Sequence, residues 1–157
     1  MDKHLNEIIS YRNKDFKLEY PASWTLDTSK AWGAELILFS PMESEADQFN
    51  ENVNVVIQDL TGQNIDLEKY KQITDQQINT LATDGKILES SIVKTDAKEA
   101  FRITYTMTQG TFSLKITSEC QIHNDQAYLI TFTTEAGQYE LYKVTGEQIL
   151  ASFALIK

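Results

Sequence analysis

Residues 100–134 read AFRITYTMTQGTFSLKITSECQIHNDQAYLITFTT, and this stretch decides the fold. Apolar and polar residues alternate along three runs, 100–108, 112–122 and 127–134. Alternation with a period of two is typical of strands that have one buried face. The links QGT and HNDQ are too short for a crossover connection, so neighbouring strands have to run antiparallel. The stretch therefore predicts an antiparallel meander.

The two faces of this meander differ in chemistry. Each strand has one apolar face, which we expect to point into a core. These faces are Phe101, Ile103, Tyr105 and Met107 on the first strand, Phe112, Leu114, Ile116, Ser118, Cys120 and Ile122 on the second, and Tyr128, Ile130 and Phe132 on the third. The other face is polar and rich in threonine, with Arg102, Thr104, Thr106, Thr108, Lys115 and Thr117. This polar face either meets solvent or lines a groove beneath a helix.

A helix and a further strand precede the meander. In DLEKYKQITDQQINTLATDG, residues 66–85, apolar side chains recur at helical spacing. Asp66 is a favourable N-cap, and Gly85 is placed to close the far end. The run KILESSIVKT, 86–95, then predicts a strand that joins the meander through the polar turn DAKE. We therefore expect four consecutive strands after the helix.

The N-terminal third predicts more strands. FKLEY alternates, so Phe16, Leu18 and Tyr20 share one face, and Pro21 ends the strand because it has no N–H to donate. AELILFS, 34–40, is a nearly continuous apolar run typical of a central strand, and NVNVVIQDL, 52–60, alternates again. For residues 2–11 the pattern allows either a short helix or a loose segment.

The C-terminal stretch QYELYKVTGEQILASFALIK, 138–157, has a helical pattern, and its apolar face is Tyr139, Tyr142, Ile149 and Phe153. Gly146 costs about 1 kcal/mol inside a helix. Alternatively, Thr145 and Gln148 form a capping box at which a helix begins.

The element order predicts an α+β fold in a single domain, residues 1–157, with residues 1–13 as the loose segment or short helix. We expect an antiparallel sheet of about six to seven strands flanked by helices, an α-β-α sandwich.

Several of these stretches together resemble the PsbP-like family, which has the Mog1/PsbP-like fold and includes small bacterial proteins. They are YRNKDFKLEYPASW, VNVVI, LEKY, AYLITFTT and ILASF, which span residues 11–155. The anchors of the resemblance are aromatic, turn and helix-end positions: Phe16, Tyr20, Pro21, Trp24, Ser152 and Phe153. The resemblance implies protein-binding roles and no enzymatic activity. Plant members of the family have basic and N-terminal elements for docking on photosystem II. This acidic chain does not visibly share them, so a photosynthetic role is not carried over.

Trp24 follows the turn that Pro21 begins. It is either a platform for a ligand or a residue that fastens a strand end to the core. We favour the second role, with the indole packed against the C-terminal helix near Phe153 and its N–H hydrogen-bonded.

Composition excludes several classes of function. The net charge of −9 opposes binding to nucleic acid and to anionic membranes. No apolar run is long enough to span a membrane, and the N-terminal residues do not form a signal peptide. The sequence therefore predicts a cytoplasmic domain, or an exported one if a leader peptide normally precedes it.

No catalytic or cofactor motif is present, so we predict a non-enzymatic domain without a cofactor. The single cysteine, Cys120, is expected to be a buried structural thiol. His123 is expected to be exposed at a turn, and a metal site with Asp125 and the distant His4 would arise only by accident of folding. No metal site is predicted.

Two regions are candidates for binding. Trp32, in the loop SKAWGAEL, either anchors a partner or packs over the sheet. Glu43, Glu45 and Asp47, followed by Glu51, form an acidic loop that is more simply solvated than a Ca²⁺ site, because the spacing lacks the EF-hand pattern.

Two functions remain open. The first is a protein-binding module that uses Trp32, Glu43, Glu45 and Asp47, and it predicts an exposed patch centred on Trp32. The second is a small-molecule or divalent-metal site in a cleft between the sheet and the N-terminal segment, and it predicts a concave pocket. We favour the first because no motif supports the second.

Overall fold

The computed structural model describes residues 7–41 and 49–156. The α+β class is confirmed over these ranges, with two antiparallel sheets and two helices. The strands are β1 (Ile8–Arg12), β2 (Phe16–Pro21), β3 (Thr25–Asp27), β4 (Leu36–Phe39), β5 (Asn52–Asp59), β6 (Lys86–Lys94), β7 (Glu99–Gln109), β8 (Phe112–His123), β9 (Gln126–Glu135) and β10 (Ala154–Leu155). The helices are α1 (Leu67–Leu81) and α2 (Tyr139–Ser152).

The larger sheet has seven strands in the order β3-β4-β5-β9-β8-β7-β6. The predicted meander is confirmed as the run β6 to β9, in which each strand pairs antiparallel with the next. A two-residue turn joins β8 to β9, and Asn124 and Asp125 both take positive φ there, at 51° and 60°. Asn and Asp are the non-glycine residues that tolerate this conformation best, so the turn chemistry matches the hairpin.

The two helices lie on opposite faces of this sheet. Helix α1 places Ile78 against the face that carries Phe101, Ile103 and Cys120. Helix α2 packs on the other face, where Phe132 belongs to the same core cluster as Ile149 and Leu150. Along β9, Tyr128 and Ile130 enter the core on the α2 side, whereas Ala127 and Leu129 enter the core on the α1 side. This is the expected result of a sheet covered on both sides.

The smaller sheet has the strand order β1-β2-β10 and completes the core on the α2 side. The N-terminal segment is therefore not a helix, and the prediction of a helical or loose segment is wrong for residues 8–12. Asn13 causes the difference, because its side-chain oxygen accepts from the amides of Asp15 and Phe16 at 2.8 and 2.9 Å. That turn folds β1 back onto β2 as a hairpin.

Helix α1 begins as predicted, since the Asp66 carboxylate accepts a hydrogen bond from the Lys69 amide at 2.8 Å. Its end differs from the prediction. The helix stops at Leu81, and Asp84, not Gly85, takes positive φ. Gly85 is needed for space, because a Cβ there would lie 2.7 Å from the Ile78 carbonyl oxygen.

Helix α2 runs without a break through Gly146, so a helix start at Thr145 is wrong. A Cβ at Gly146 would overlap the Phe132 ring, which explains why glycine is found in mid-helix. The helix ends at Ser152, earlier than the sequence pattern predicts. Beyond it, Ala154 and Leu155 pair with Lys17 and Phe16 of β2, and this pairing pulls the chain out of the helix.

Candidate functional site

Trp32 lies in the loop that leads into β4, in a short turn of 3₁₀ helix from Ala31 to Gly33. Its side chain is 89% exposed, and its backbone is left-handed, with φ of 54°. The flanking residues Lys30 and Gly33 also have positive φ, at 65° and 79°. A bulky L-residue in this region is strained, and strained residues concentrate at functional sites.

A backbone hydrogen bond at its C-terminal end attaches this loop to the sheet. The Glu35 amide donates to the Val55 carbonyl oxygen at 2.7 Å, which ties the loop to β5. The Glu35 carboxylate also lies 3.4 Å from the Lys30 ammonium nitrogen. The exposed indole of Trp32 is therefore carried by a loop with defined attachments.

Beside Trp32 is an open cavity of about 370 Å³ on the sheet face that also carries α1, and we call it the Trp32 groove. The described residues that line it are Trp32, Ala34, Ile37, Phe39, Phe49, Asn52, Asn54, Val56, Gln109 and Thr133.

The groove is open because α1 covers only part of that sheet face. The helix packs mainly on β6, β7 and β8. Its Tyr70 reaches Gln58 of β5, and the part of the face around Asn54 lines the groove instead. Asn54 of β5 lies directly opposite Ile37 on β4 and Thr131 on β9. Asn54 lines the groove, which explains a polar side chain at this position of the sheet.

A second cavity, of about 450 Å³, lies between the smaller sheet and α2. The described residues that line it are Ile8, Glu19, Tyr20, Pro21, Thr145, Gln148, Ile149, Ala151 and Ser152. Ser152 joins the two walls, since its hydroxyl accepts from the Glu19 amide at 2.8 Å and donates to the Ile149 carbonyl at 2.8 Å. This is the cleft beside the N-terminal segment that the small-molecule hypothesis requires.

The threonine-rich face of the meander lies beneath α2, which resolves the alternatives left open by the sequence. Thr104 and Thr117 are buried there with their hydroxyl oxygens 3.1 Å apart. Next to them Arg102 contacts Glu119 at 2.7 Å and Glu147 of α2 at 2.5 Å. Burial lowers the pKa of Arg102, but hydrogen bonds and charge from Glu147 and Glu119 outweigh it and raise that pKa above its ordinary value. The cluster is a structural link between α2 and the sheet.

Cys120 is buried, as predicted, and burial raises the pKa of its thiol to about 12. A thiol with so high a pKa is a poor nucleophile at neutral pH. His123 differs from the prediction: it is the last residue of β8, paired with Gln126, and it is half-buried instead of exposed.

The structure describes only part of the predicted binding surface. Trp32 is exposed at the rim of the groove, whereas Glu43, Glu45 and Asp47 lie outside the described residues, so their relation to Trp32 stays a prediction. His4 also lies outside them.

The aromatic anchors of the resemblance are all buried: Phe16, Tyr20, Trp24 and Phe153. The Trp24 amide donates to the Pro21 carbonyl at 3.0 Å, which closes the turn. The Trp24 ring meets Tyr142 of α2 edge-on at 6.3 Å, and Phe153 packs against Phe16 at 5.2 Å. Trp24 thus lies against the C-terminal helix, beside Tyr142.

Sequence reasoning missed the polar floor of the groove, above all Asn54, Thr133 and Gln109. The alternation in β5 does show that Asn54 faces away from Val53 and Val55. It does not show whether that face is covered, because this depends on where α1 packs.

Comparison of the chain with protein families and with solved structures agrees with the fold described above. The family model described as PsbP matches residues 6–155 of the chain. The chain belongs to the PsbP family. The match extends beyond residues 11–155, which carry the resemblance in the sequence.

Solved structures similar to this PsbP-family domain support the same fold. Cyanobacterial PsbP (CyanoP) from Synechocystis sp. PCC 6803 matches with a TM-score of 0.70 and 12% identity, over 96% of this chain and 94% of that one. LpqN, involved in cell envelope biogenesis of Mycobacterium tuberculosis, matches with a TM-score of 0.68 and 12% identity, over 96% and 91%. PA94 from Pseudomonas aeruginosa, a protein of unknown function, matches with a TM-score of 0.64 and 13% identity, over 91% and 93%. At these identities the likeness shows the fold alone.

A comparison with curated protein sequences finds no match for the PsbP-family domain. Within residues 7–41 and 49–156, neither helix is long and apolar enough to cross a membrane. Among the same described residues, no group of three or more His, Cys, Asp or Glu side chains is arranged to hold a metal ion.

Proposed function

We propose that this PsbP-family domain is a non-enzymatic accessory domain that binds another protein through a surface centred on Trp32. The observation that carries the proposal is the 89% exposure of the Trp32 side chain on a strained, anchored loop. Exposure of the apolar indole ring to water is unfavourable, and tryptophan is among the residue types enriched at interaction hot spots. The position beside an open groove gives a partner both an anchor and a concave surface.

The remaining chemistry supports a binding role over a catalytic one. The thiol of Cys120 is buried with a raised pKa, and the ion pairs of Arg102 tie α2 to the sheet. These groups stabilise the fold and do not converge on the Trp32 groove. The net charge of −9 favours partners that are not acidic.

A photo-crosslinking amino acid at position 32 tests the proposal in the source cells. The matched control carries the same amino acid at position 141, because Leu141 is also exposed, at 65%, but lies on α2 across the sheet. We expect one protein to crosslink from position 32 and not from position 141.

The partner identified in this way is then purified and its affinity measured by calorimetry. Trp32→Ala is expected to raise the Kd by at least about tenfold, as hot-spot tryptophans do, and Leu141→Ala to leave it unchanged. Equal weakening by both variants, or no specific crosslink from position 32, would refute the proposal.

The cavity of about 450 Å³ between β1, β2 and α2 supports a second candidate, a small-molecule binding domain. Its volume lies within the range of ligand pockets, roughly 300–1,000 Å³. A small molecule that raises the melting temperature of the wild type, but not of Gln148→Trp, which fills that cavity, would favour this candidate.

A further inference from the structure

Strand β1 is an outer strand of the smaller sheet, and among residues 7–41 and 49–156 no strand pairs with its outer edge. The Ala22 amide donates to the Glu7 carbonyl oxygen at 2.8 Å, and the Asn13 amide donates to the Phe16 carbonyl oxygen at 3.0 Å. Hydrogen-bonded pairs alternate along an antiparallel ladder, so the odd-numbered residues of β1 bond to β2. The N–H and C=O groups of the even-numbered residues therefore point away from the sheet, and these residues are Ile8, Ser10 and Arg12.

This outer edge of β1 is open to another strand. In the part of the chain that the structure describes, the backbone groups of its even-numbered residues make no hydrogen bond beyond the sheet. The side chain of Ile8 is 58% exposed, and that of Ile9, which lies opposite the buried Tyr20, is 36% exposed. A row of free N–H and C=O groups beside apolar side chains is a template for strand pairing.

The remaining outer strands of the two sheets are protected against such pairing. Strands β3 and β10 have only three and two residues. Strand β6 begins and ends with lysine, has an irregular register between Ile87 and Glu89, and is tied to α1 by the Ser90 hydroxyl, which donates to Asp75 at 2.6 Å. Short strands, bulges and terminal lysines are the usual protections of a sheet edge. Strand β1 has five residues in regular register with β2 and none of these features.

The charges of the β1–β2 hairpin fit a second copy of the chain. Residues 7–21 contain three acidic and three basic side chains, so this hairpin is neutral although the whole chain has a net charge of −9. The turn end is basic, with a net charge of +2 from Arg12, Lys14, Lys17 and Asp15. The opposite end is acidic, with a net charge of −2 from Glu7 and Glu19. Antiparallel pairing of two copies places the basic end of one hairpin beside the acidic end of the other.

We propose that β1 pairs antiparallel with β1 of a second copy, about a two-fold axis at Ser10, and that the two three-stranded sheets form one sheet of six strands. Ser10 is the middle residue of β1, so this register pairs each Ile8 with Arg12 of the other copy and satisfies all the outward backbone groups. It also places Ile9 opposite Tyr11 of the other copy. Pairs of an aromatic and a β-branched side chain stabilise antiparallel sheets.

The pairing goes beyond the proposed function and does not use the same surface. The smaller sheet lies on the α2 side of the large sheet, whereas the Trp32 groove is on the α1 side. A dimer formed through β1 therefore carries two Trp32 surfaces. A partner with two binding sites would be held by both of them, which increases the apparent affinity without any new contact.

Sedimentation velocity of the full chain, from about 1 µM to about 1 mM, tests the pairing. A strand-edge contact is at the small end of specific interfaces, so we expect a monomer–dimer equilibrium with a Kd within this range. Ser10→Pro removes the N–H at the centre of the edge and no hydrogen bond within the chain, and proline is tolerated on edge strands. We expect Ser10→Pro to raise the Kd at least about tenfold, and the matched control Ser10→Ala to leave it unchanged.

A cysteine crosslink locates the contact and decides the matter if Ser10→Pro does not fold. Pairing about Ser10 brings the two copies of residue 10 to a Cα separation of about 5.5 Å, within disulfide range, whereas the two copies of residue 17 lie far apart. Ser10 and Lys17 are both exposed, and Cys120 is buried, so mild oxidation acts on the introduced thiol. We expect a disulfide-linked dimer from Ser10→Cys and none from Lys17→Cys.

A chain that stays monomeric up to about 1 mM, or a dimer that Ser10→Pro leaves intact, would overturn the proposal. Equal crosslinking from positions 10 and 17 would do the same, because it indicates random collision. Binding of an unrelated extended peptide to the β1 edge of a chain that stays monomeric would remove the second copy as the occupant. Failure of the dimer leaves the crosslink from position 32 unaffected, so this proposal and the proposed function fail separately.

Discussion

At the scale of single residues, the two tryptophans differ in burial, although they are the same residue type. Trp24 is 6% exposed and lies edge-on to Tyr142, whereas Trp32 is 89% exposed. Burial of the first adds to the core. Exposure and a left-handed backbone in the second cost stability, which is the pattern expected where a residue is kept for binding.

Replacing Trp32 tests whether this cost is real. A left-handed backbone costs an L-residue about 1–2 kcal/mol, and glycine avoids that cost at an entropy penalty of about 0.5–1 kcal/mol. We expect Trp32→Gly to raise the free energy of unfolding in urea by up to about 1 kcal/mol, and Trp32→Ala, which keeps the strain, to leave it unchanged. A clear loss of stability in Trp32→Gly would instead mean that the indole packs against the protein.

At the scale of elements, α2 is held on the sheet by close contact in the middle of its buried face and by ion pairs beside it. Gly146 lets the helix backbone approach the Phe132 ring, and Arg102 bridges Glu119 on β8 and Glu147 on α2. Helix propensity alone argues against glycine at this position. The packing distance between helix and sheet therefore decides the residue.

Gly146→Ala tests that explanation. Alanine improves helix propensity by about 1 kcal/mol, but its Cβ would overlap the Phe132 ring, and overpacking costs about 1–3 kcal/mol or more. We expect a net destabilisation of about 1–2 kcal/mol in chemical unfolding. Gly137→Ala is the control, because nothing lies within 4 Å of a Cβ there, and it should be neutral. A stabilised Gly146→Ala would show that the helix can move away from the sheet at no cost.

At the scale of the whole molecule, one sheet separates two cores with different buried titratable groups. The α1 side contains Cys120, whose pKa is raised by burial from 9.0 to about 12, and Tyr105, whose pKa is also raised by burial. Both groups are neutral in the folded state at a pH at which the unfolded chain would ionise them. Their contribution to stability is present below the unfolded pKa and is lost as the pH rises toward the folded pKa.

The free energy of unfolding should therefore fall as the pH rises above 9. Between pH 9 and 10 the main cause of this fall is ionisation of Cys120 in the unfolded chain. Its pKa there is near 9.0, whereas the tyrosines of the unfolded chain ionise at higher pH. One proton corresponds to a slope of at most about 1.4 kcal/mol per pH unit. We expect Cys120→Ala to reduce this slope, measured by urea unfolding at each pH, whatever its effect on absolute stability. An unchanged slope would mean that the thiol is accessible to water in the folded state.

The sequence by itself determined the elements of the meander and helix α1, because alternation with periods of 2 and 3.6 is a local property of the chain. It also determined the family, since the aromatic and turn positions around Pro21 and Trp24 occur in a recognisable order. It predicted an exposed Trp32 as a candidate binding residue, because a tryptophan in a loop is more often exposed than one in a strand.

Only the tertiary structure decided the rest. The segment at residues 8–12 became a strand because β2 was available as a partner, and α2 ended at Ser152 because the next residues pair with the same strand. The Trp32 groove is open because α1 packs mainly on β6, β7 and β8 and does not cover Asn54. These features depend on contacts between residues far apart in the chain, and local periodicity carries no information about which faces meet.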